Sequence, residues 1–174
     1  QLLRQHALGN FGALLHAVNH SMVKAALFMV AGNLLLAYRT KQSAQVQGAL
    51  RRLPVSGFLW LAGLFAITGS PPFGTFASEF LLLKEAVGRG PGGAAVAGAA
   101  LLALTIAFIG MSRTILRMTL GRSPEGEGVV HEPSASYGPA GILMAGSLVL
   151  GLWIPQGLMD LLGQASRLLG GGAP

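Results

Sequence analysis

The most restrictive feature of this sequence is a succession of apolar runs, each nearly free of charge and long enough to enter or cross a bilayer. A helix needs about 20 apolar residues to span a hydrocarbon core of ~30 Å. Five segments qualify, at about 11–38, 53–70, 73–88, 93–119 and 137–163. Within hydrocarbon every backbone N–H and C=O must find its partner inside the segment, so such runs fold as helices. The fold class that follows is an all-α polytopic membrane protein with about five transmembrane segments. Proline marks the ends: Pro54 falls in the first turn of the second segment, where a missing N–H costs little. Pro155, after Trp153, marks a kink or an end in the fifth.

Composition supports the bilayer as solvent. Only 10% of residues are charged, where a soluble domain carries about a quarter. The 26 glycines suit helices that pack closely in lipid, where small residues let backbones approach. Cysteine is absent, which removes disulfides, iron–sulfur ligation and thiolate chemistry. The net charge of +6 does not point to nucleic acid, because the basic residues sit at the ends of apolar runs rather than along one polar face. If all five segments cross, these residues divide six to four between the two sides, with Arg89 on the side of the 39–52 loop. That division is too even for the positive-inside rule to orient the chain.

Residues 121–136, "GRSPEGEGVVHEPSAS", read as an exposed loop because Pro, Gly, Ser and Glu dominate. With no tandem repeat and no second domain, residues 1–174 form a single transmembrane helical domain. The chain begins at Gln1 with no basic stretch ahead of an apolar one, so no signal peptide is expected and the chain is expected to be the C-terminal part of a longer subunit. His6, His131, Asp160 and the loop glutamates are read as ordinary surface groups, and Trp60 and Trp153 as interfacial or packing residues.

Two features stand against this apolar background. In "LLHAVNHSMVKAALF", His16, His20 and Lys24 recur every four residues, with Asn19 beside them. Four-residue steps drift only about 40° around a helix, so the three form a stripe ~12 Å long. An ionisable group at mid-membrane costs ~2.5–3.5 kcal/mol on insertion scales, so the stripe is expected to face the bundle interior or water. Neutral imidazole can both donate and accept a hydrogen bond, as a proton relay requires. Interhelical hydrogen bonding that fixes how the helices dock is the alternative. A metal site is not expected: the helical zinc motif needs Glu after its first His, and Ala17 stands there.

The second feature is "ITGSPPFGTFASEFLLLK". Pro71 and Pro72 cannot continue a helix, and Gly69 and Gly74 loosen the backbone on either side. Interrupted backbone at membrane depth is tolerated only beside protein or a water-filled cavity. Glu79 follows the break inside a run of Phe, Ala and Leu. A broken helix with an ionisable residue nearby is a recurring device for ion and proton sites. A simple turn, with Glu79 capping or pairing, is the alternative.

The two stretches "HAVNHSMVKAALFMVAGNLL" and "LPVSGFLWLAGLFAITGSPPFGTFASEFLLL" resemble the antiporter-like proton-translocating subunits of respiratory complex I, multi-subunit sodium/proton antiporters and group 4 hydrogenases. The form is most similar to the F subunits of hydrogenase-4 and formate hydrogenlyase, and the similarity covers about residues 10–88. The resemblance implies a fourteen-helix fold with two inverted five-helix repeats, each holding one broken helix. This chain would then supply the second repeat and the C-terminal helix. It further implies that His16, His20, Lys24 and Glu79 are the proton relay of that repeat, and that the 39–52 loop faces outward. No nucleotide, cluster or nickel-ligand motif is present, so no cofactor is expected. The chain would be a non-redox subunit of an oxidoreductase complex in the inner (cytoplasmic) membrane. Its partners would be other membrane subunits, with protons or sodium as the transported ion. An antiporter module or a scaffold subunit stays open beside that reading.

Overall fold

The computed structural model describes residues 2–122 and 128–169, with the backbone alone for residues 2–8. The side chain of His6 and residues 123–127 of the 121–136 loop lie outside the described residues. Every regular element among the described residues is a helix. The order is α1 (Leu2–Tyr38), a 3-10 turn (Ser43–Gln45), α2 (Ala49–Arg52), α3 (Pro54–Ile67), α4 (Gly74–Gly88), α5 (Pro91–Leu120), α6 (Ser134–Leu152) and α7 (Gln156–Leu169). Large apolar side chains such as Phe28, Leu36, Val96, Ile106 and Ile142 are exposed, as they must be where lipid replaces water. The chain is a multi-pass membrane protein.

The central helix is α1, which packs on α3, α4, α6 and α7. Its 37 residues run ~55 Å at 1.5 Å per residue. Leu15, Asn19, Val23, Ala26, Val30 and Leu34 fall at three- and four-residue spacing and are buried. They form the face around which the other helices gather. Val23, Ala26, Val30 and Leu34 share a cluster with Leu59, Ala66, Ala140 and Met144 from α3 and α6.

The contacts along α1 show how the five segments pair into crossings. Gly9 lies against Arg89 and Glu85, Gly12 against Leu81 and Leu82, Gly74 against Asn19, and Gly63 against Leu27. At the far end Asn33 bonds the Ser56 hydroxyl at 3.0 Å. One continuous antiparallel register thus runs from α4 into α3 along a single helix. The 14 residues of α3 and 15 of α4 reach only ~21 and ~22 Å, each too short alone for a ~30 Å core. The second and third apolar segments are therefore two halves of one broken crossing, not two crossings.

The fifth segment divides in the same way. Residues 153–155 are not helical. Trp153 leaves the helical region at φ −155°, and Pro155 cannot restore it. Helix α6 runs antiparallel to α1, with the Ser136 carbonyl at Asn33, 2.9 Å, and Gly146 against Met22. Helix α7 continues toward the other end, where Asn10 donates to the Ser166 carbonyl at 3.4 Å.

These registers set the ends of the molecule. The 39–52 loop sits at the C-terminal end of α1, and Gln47 there touches Gly121 just after α5. Arg89 lies beside Gly9 at the opposite end. Its assignment to the side of the 39–52 loop came from counting the broken helix twice. Arg89 there pairs with Glu85 at 3.5 Å.

At the loop end the chain makes a clasp. The Glu132 carboxylate accepts from the backbone N–H of Val55 at 2.8 Å and of Ser56 at 2.9 Å. It caps α3, whose first-turn donors have no intrahelical partner. The Val130 N–H donates to the Arg52 carbonyl at 2.8 Å, which holds the strap in place. Read from sequence as a surface group, Glu132 is instead a structural cap.

Candidate functional site

The break between α3 and α4 is built by its sequence. Gly69 adopts φ +65°, a left-handed conformation that suits glycine. That turn lets the Ser70 N–H reach back to the Phe65 carbonyl at 2.9 Å, closing the end of α3 in a Schellman manner. Pro71 and Pro72 follow, joined by a cis peptide bond. Phe73 is extended (φ −73°, ψ 152°) and α4 begins at Gly74. The Thr75 hydroxyl donates to the Ala66 carbonyl and fastens one half-helix to the other across the gap. The break faces Asn19, ~28 Å along α1 from Tyr38 and ~15 Å from Gly9. It is therefore at membrane depth.

The stripe on α1 turns outward as it ascends. His16 is half-buried and its Nδ1 lies 3.1 Å from the Ser78 hydroxyl on α4. The Ser78 hydroxyl itself donates to the Thr75 carbonyl at 2.8 Å. Its oxygen is thus left to accept from His16 Nδ1–H, which leaves Nε2 as the acceptor nitrogen of the neutral ring. His20 stacks on His16 with ring centroids 5.4 Å apart and planes 28° apart. Lys24 is exposed on the surface of the described bundle. The cause is the drift of about 40° per four-residue step, which over two steps carries Lys24 about 80° away from His16. The stripe was expected to face the bundle interior or water; His16 meets α4, while Lys24 lies on the surface of the described bundle.

Glu79 takes a different side of α4. Consecutive helical residues project about 100° apart, so Ser78 faces α1 while Glu79 faces α5. Its carboxylate lies against Gly69 at the end of α3. It lines a cleft of about 260 Å³ together with Thr68, Phe76, Thr105 and Phe108. The site is therefore two-sided. The His16 imidazole touches one face of the broken helix, a carboxylate leaves the other, and the hydroxyls of Ser78 and Thr75 are buried on the same half-helix. Sequence reading missed both hydroxyls. Serine and threonine are common in membrane helices, and only the register of α1 on α4 makes these two contacts.

Broken crossing, polar stripe and half-buried carboxylate together define a polytopic membrane subunit with ionisable groups inside its apolar segments. The chain belongs to the NADH:quinone oxidoreductase/Mrp antiporter transmembrane family, whose model matches residues 2–105. A hydrogenase-4 component F homolog of Methylacidiphilum infernorum is 42% identical over 85 residues, covering 49% of this chain and 18% of that protein. A putative antiporter subunit mnhD2 of Staphylococcus saprophyticus is 30% identical over 148 residues, covering 83% of this chain and 29% of that protein. NADH-quinone oxidoreductase subunit L of Mycobacterium tuberculosis is 32% identical over 143 residues, covering 80% of this chain and 23% of that protein. The fold matches a chain of the Mrp complex from Dietzia sp. with TM-score 0.80 at 22% identity, over 94% of this chain and 38% of that one. The chain thus spans less than a third of the length of these curated relatives.

Proposed function

We propose that this chain is the C-terminal part of a proton-translocating membrane subunit in a complex-I-like redox assembly, of the group 4 hydrogenase or NADH:quinone oxidoreductase type. The observation that carries the reading is the His16–Ser78 bond. It puts an ionisable stripe in direct contact with the half-helix that bears Glu79. His16 and His20 pass a proton along α1, Lys24 holds one, and Glu79 accepts and releases one at the cleft toward α5. Water fills the remaining gaps around the break, where backbone groups freed from the helix can bind it. Lys24 looks outward from this bundle onto the upstream half of the longer subunit, whose relatives are more than three times as long as the matched part. The partners are other membrane subunits of the assembly, and these supply all electron transfer.

The ends of the bundle favour an orientation. With the broken helix counted once, Arg39, Lys41, Arg51, Arg52, Arg113, Arg117 and Arg122 belong to the loop end, and Arg4, Lys84, Arg89 and Arg167 to the other. Seven against four leans toward the 39–52 loop on the cytoplasmic side by the positive-inside rule. This reverses the outward placement that the family resemblance implied. The membrane would be the cell's inner membrane.

A cation/proton antiporter module is the second reading, favoured by the 30% identity to a putative antiporter subunit over most of this chain. Proteoliposomes holding the intact complex separate the two. Under redox turnover with a pH-sensitive dye, the first reading predicts proton movement that persists without sodium. Movement that needs an imposed sodium gradient, with no response to electron donor, would overturn it.

A further inference from the structure

Two fully buried oxygens near the break have no hydrogen-bond partner: Asn19 Oδ1 on α1 and Ser147 Oγ on α6. An unpaired polar atom in a membrane interior is costly enough to need an explanation. The Asn19 amide nitrogen is already committed to the Leu15 carbonyl at 3.1 Å. That bond leaves its oxygen turned toward Gly74, the first residue of α4. Ser147 stands one turn from Gly151 on the inward face of α6. Gly151 abuts Phe73, the Gly74 nitrogen and the Pro72 carbonyl, while Gly146 abuts Met22, three residues beyond Asn19. The α6–α7 discontinuity at 153–155 begins just past this point. The two breaks of the molecule therefore meet at one level, against the same stretch of α1.

We infer that this junction binds an ordered water held by Asn19 Oδ1, Ser147 Oγ and the Gly74 N–H. The chemistry selects water over the other small occupants. Asn19 Oδ1 only accepts, the first-turn N–H of α4 only donates, and a serine hydroxyl does either. One molecule that both donates and accepts satisfies all three, matching the ~3 hydrogen bonds usual for buried water. A cation is disfavoured because the positive end of the α4 dipole points at the site, and Glu79, the carboxylate nearest the break along α4, lines the cleft toward α5 instead. An anion is disfavoured because Asn19 presents an oxygen. Gly74 and Gly151 contribute no side chain to the junction. The inference rests on the orphaned oxygens and not on proton translocation.

Two measurements on the intact complex test it. A map at a resolution that shows waters should contain one peak within hydrogen-bond distance of both Asn19 Oδ1 and Ser147 Oγ, lost in Ser147→Ala. A double-mutant cycle with Asn19→Leu and Ser147→Val, read by thermal unfolding, should be non-additive. Each single variant strands a partner and lowers Tm, whereas the double variant should lose clearly less than the sum. An empty site, a peak with the short oxygen distances of a cation, or direct bonding of either oxygen to protein would overturn the inference. So would strictly additive Tm losses.

Discussion

Replacing Gly69 by alanine tests whether the end of α3 and the position of Glu79 are one device. Gly69 holds φ +65°, and a β-carbon in that left-handed region costs ~1–2 kcal/mol. A β-carbon at Gly69 would also fall onto the Glu79 carboxylate. That carboxylate must then swing toward the cleft, at ~0.5–1.5 kcal/mol if it leaves its preferred rotamer. Together these come to ~1.5–3.5 kcal/mol, a Tm loss of ~3–14 °C if the subunit unfolds like a chain of this size. Gly98→Ala is the control. Gly98 lies inside α5 with open space where a β-carbon would go, and there alanine is neutral or gains up to ~1 kcal/mol in helix propensity. The assay is thermal unfolding of the purified complex in detergent, followed by a probe that reports on this subunit. Gly69→Ala should melt well below wild type, and Gly98→Ala at or above it. Equal Tm values for the two variants would refute the argument that the break is closed by a left-handed glycine packed on Glu79.

Glu132→Ala removes both acceptors that cap α3 and should cost ~1–2 kcal/mol by the same assay, with Glu132→Gln losing less because one acceptor remains. Since the chain has no cysteine, single cysteines at Gln42 and Gly88 give a clean topology test in inside-out and right-side-out vesicles. Gln42→Cys should react with an impermeant maleimide only from the cytoplasmic side, and Gly88→Cys only from the other. Labelling of both from one side would contradict a single broken crossing. Ser78→Ala removes the hydroxyl that meets His16 and should slow proton translocation with little effect on assembly, while Lys84→Ala and His131→Ala leave it unchanged. Normal rates in Ser78→Ala would remove that hydroxyl from the path.

Much of this architecture was legible because apolar length and proline position act locally. The break fell where Gly69, Pro71 and Pro72 predicted, and the end of α6 fell at Trp153 and Pro155. The pairing of halves was not legible. Whether 53–70 and 73–88 cross twice or once depends on whether the turn between them reverses the chain, and only the register against α1 decides it. The stripe shows the same limit. Four-residue spacing set His16, His20 and Lys24 in a row, but which end of a drifting row is covered depends on where α4 and α6 dock. Glu132 was missed because its partners, Val55 and Ser56, lie more than seventy residues away. A carboxylate in a Gly-rich loop carries no mark of such a contact.

The central claim is that the stripe and Glu79 form one proton path through the broken helix. The most direct test is proton translocation per electron in vesicles holding the complete complex, with assembly checked on native gels. Glu79→Gln keeps shape and hydrogen bonding but cannot ionise, Lys24→Ala removes the amine, and Lys24→Arg keeps a charge that cannot be given up. The account predicts that all three assemble, that electron transfer continues, and that protons moved per electron fall in each. Wild-type stoichiometry in both Glu79→Gln and Lys24→Ala would contradict it and leave the stripe as a structural seam between helices.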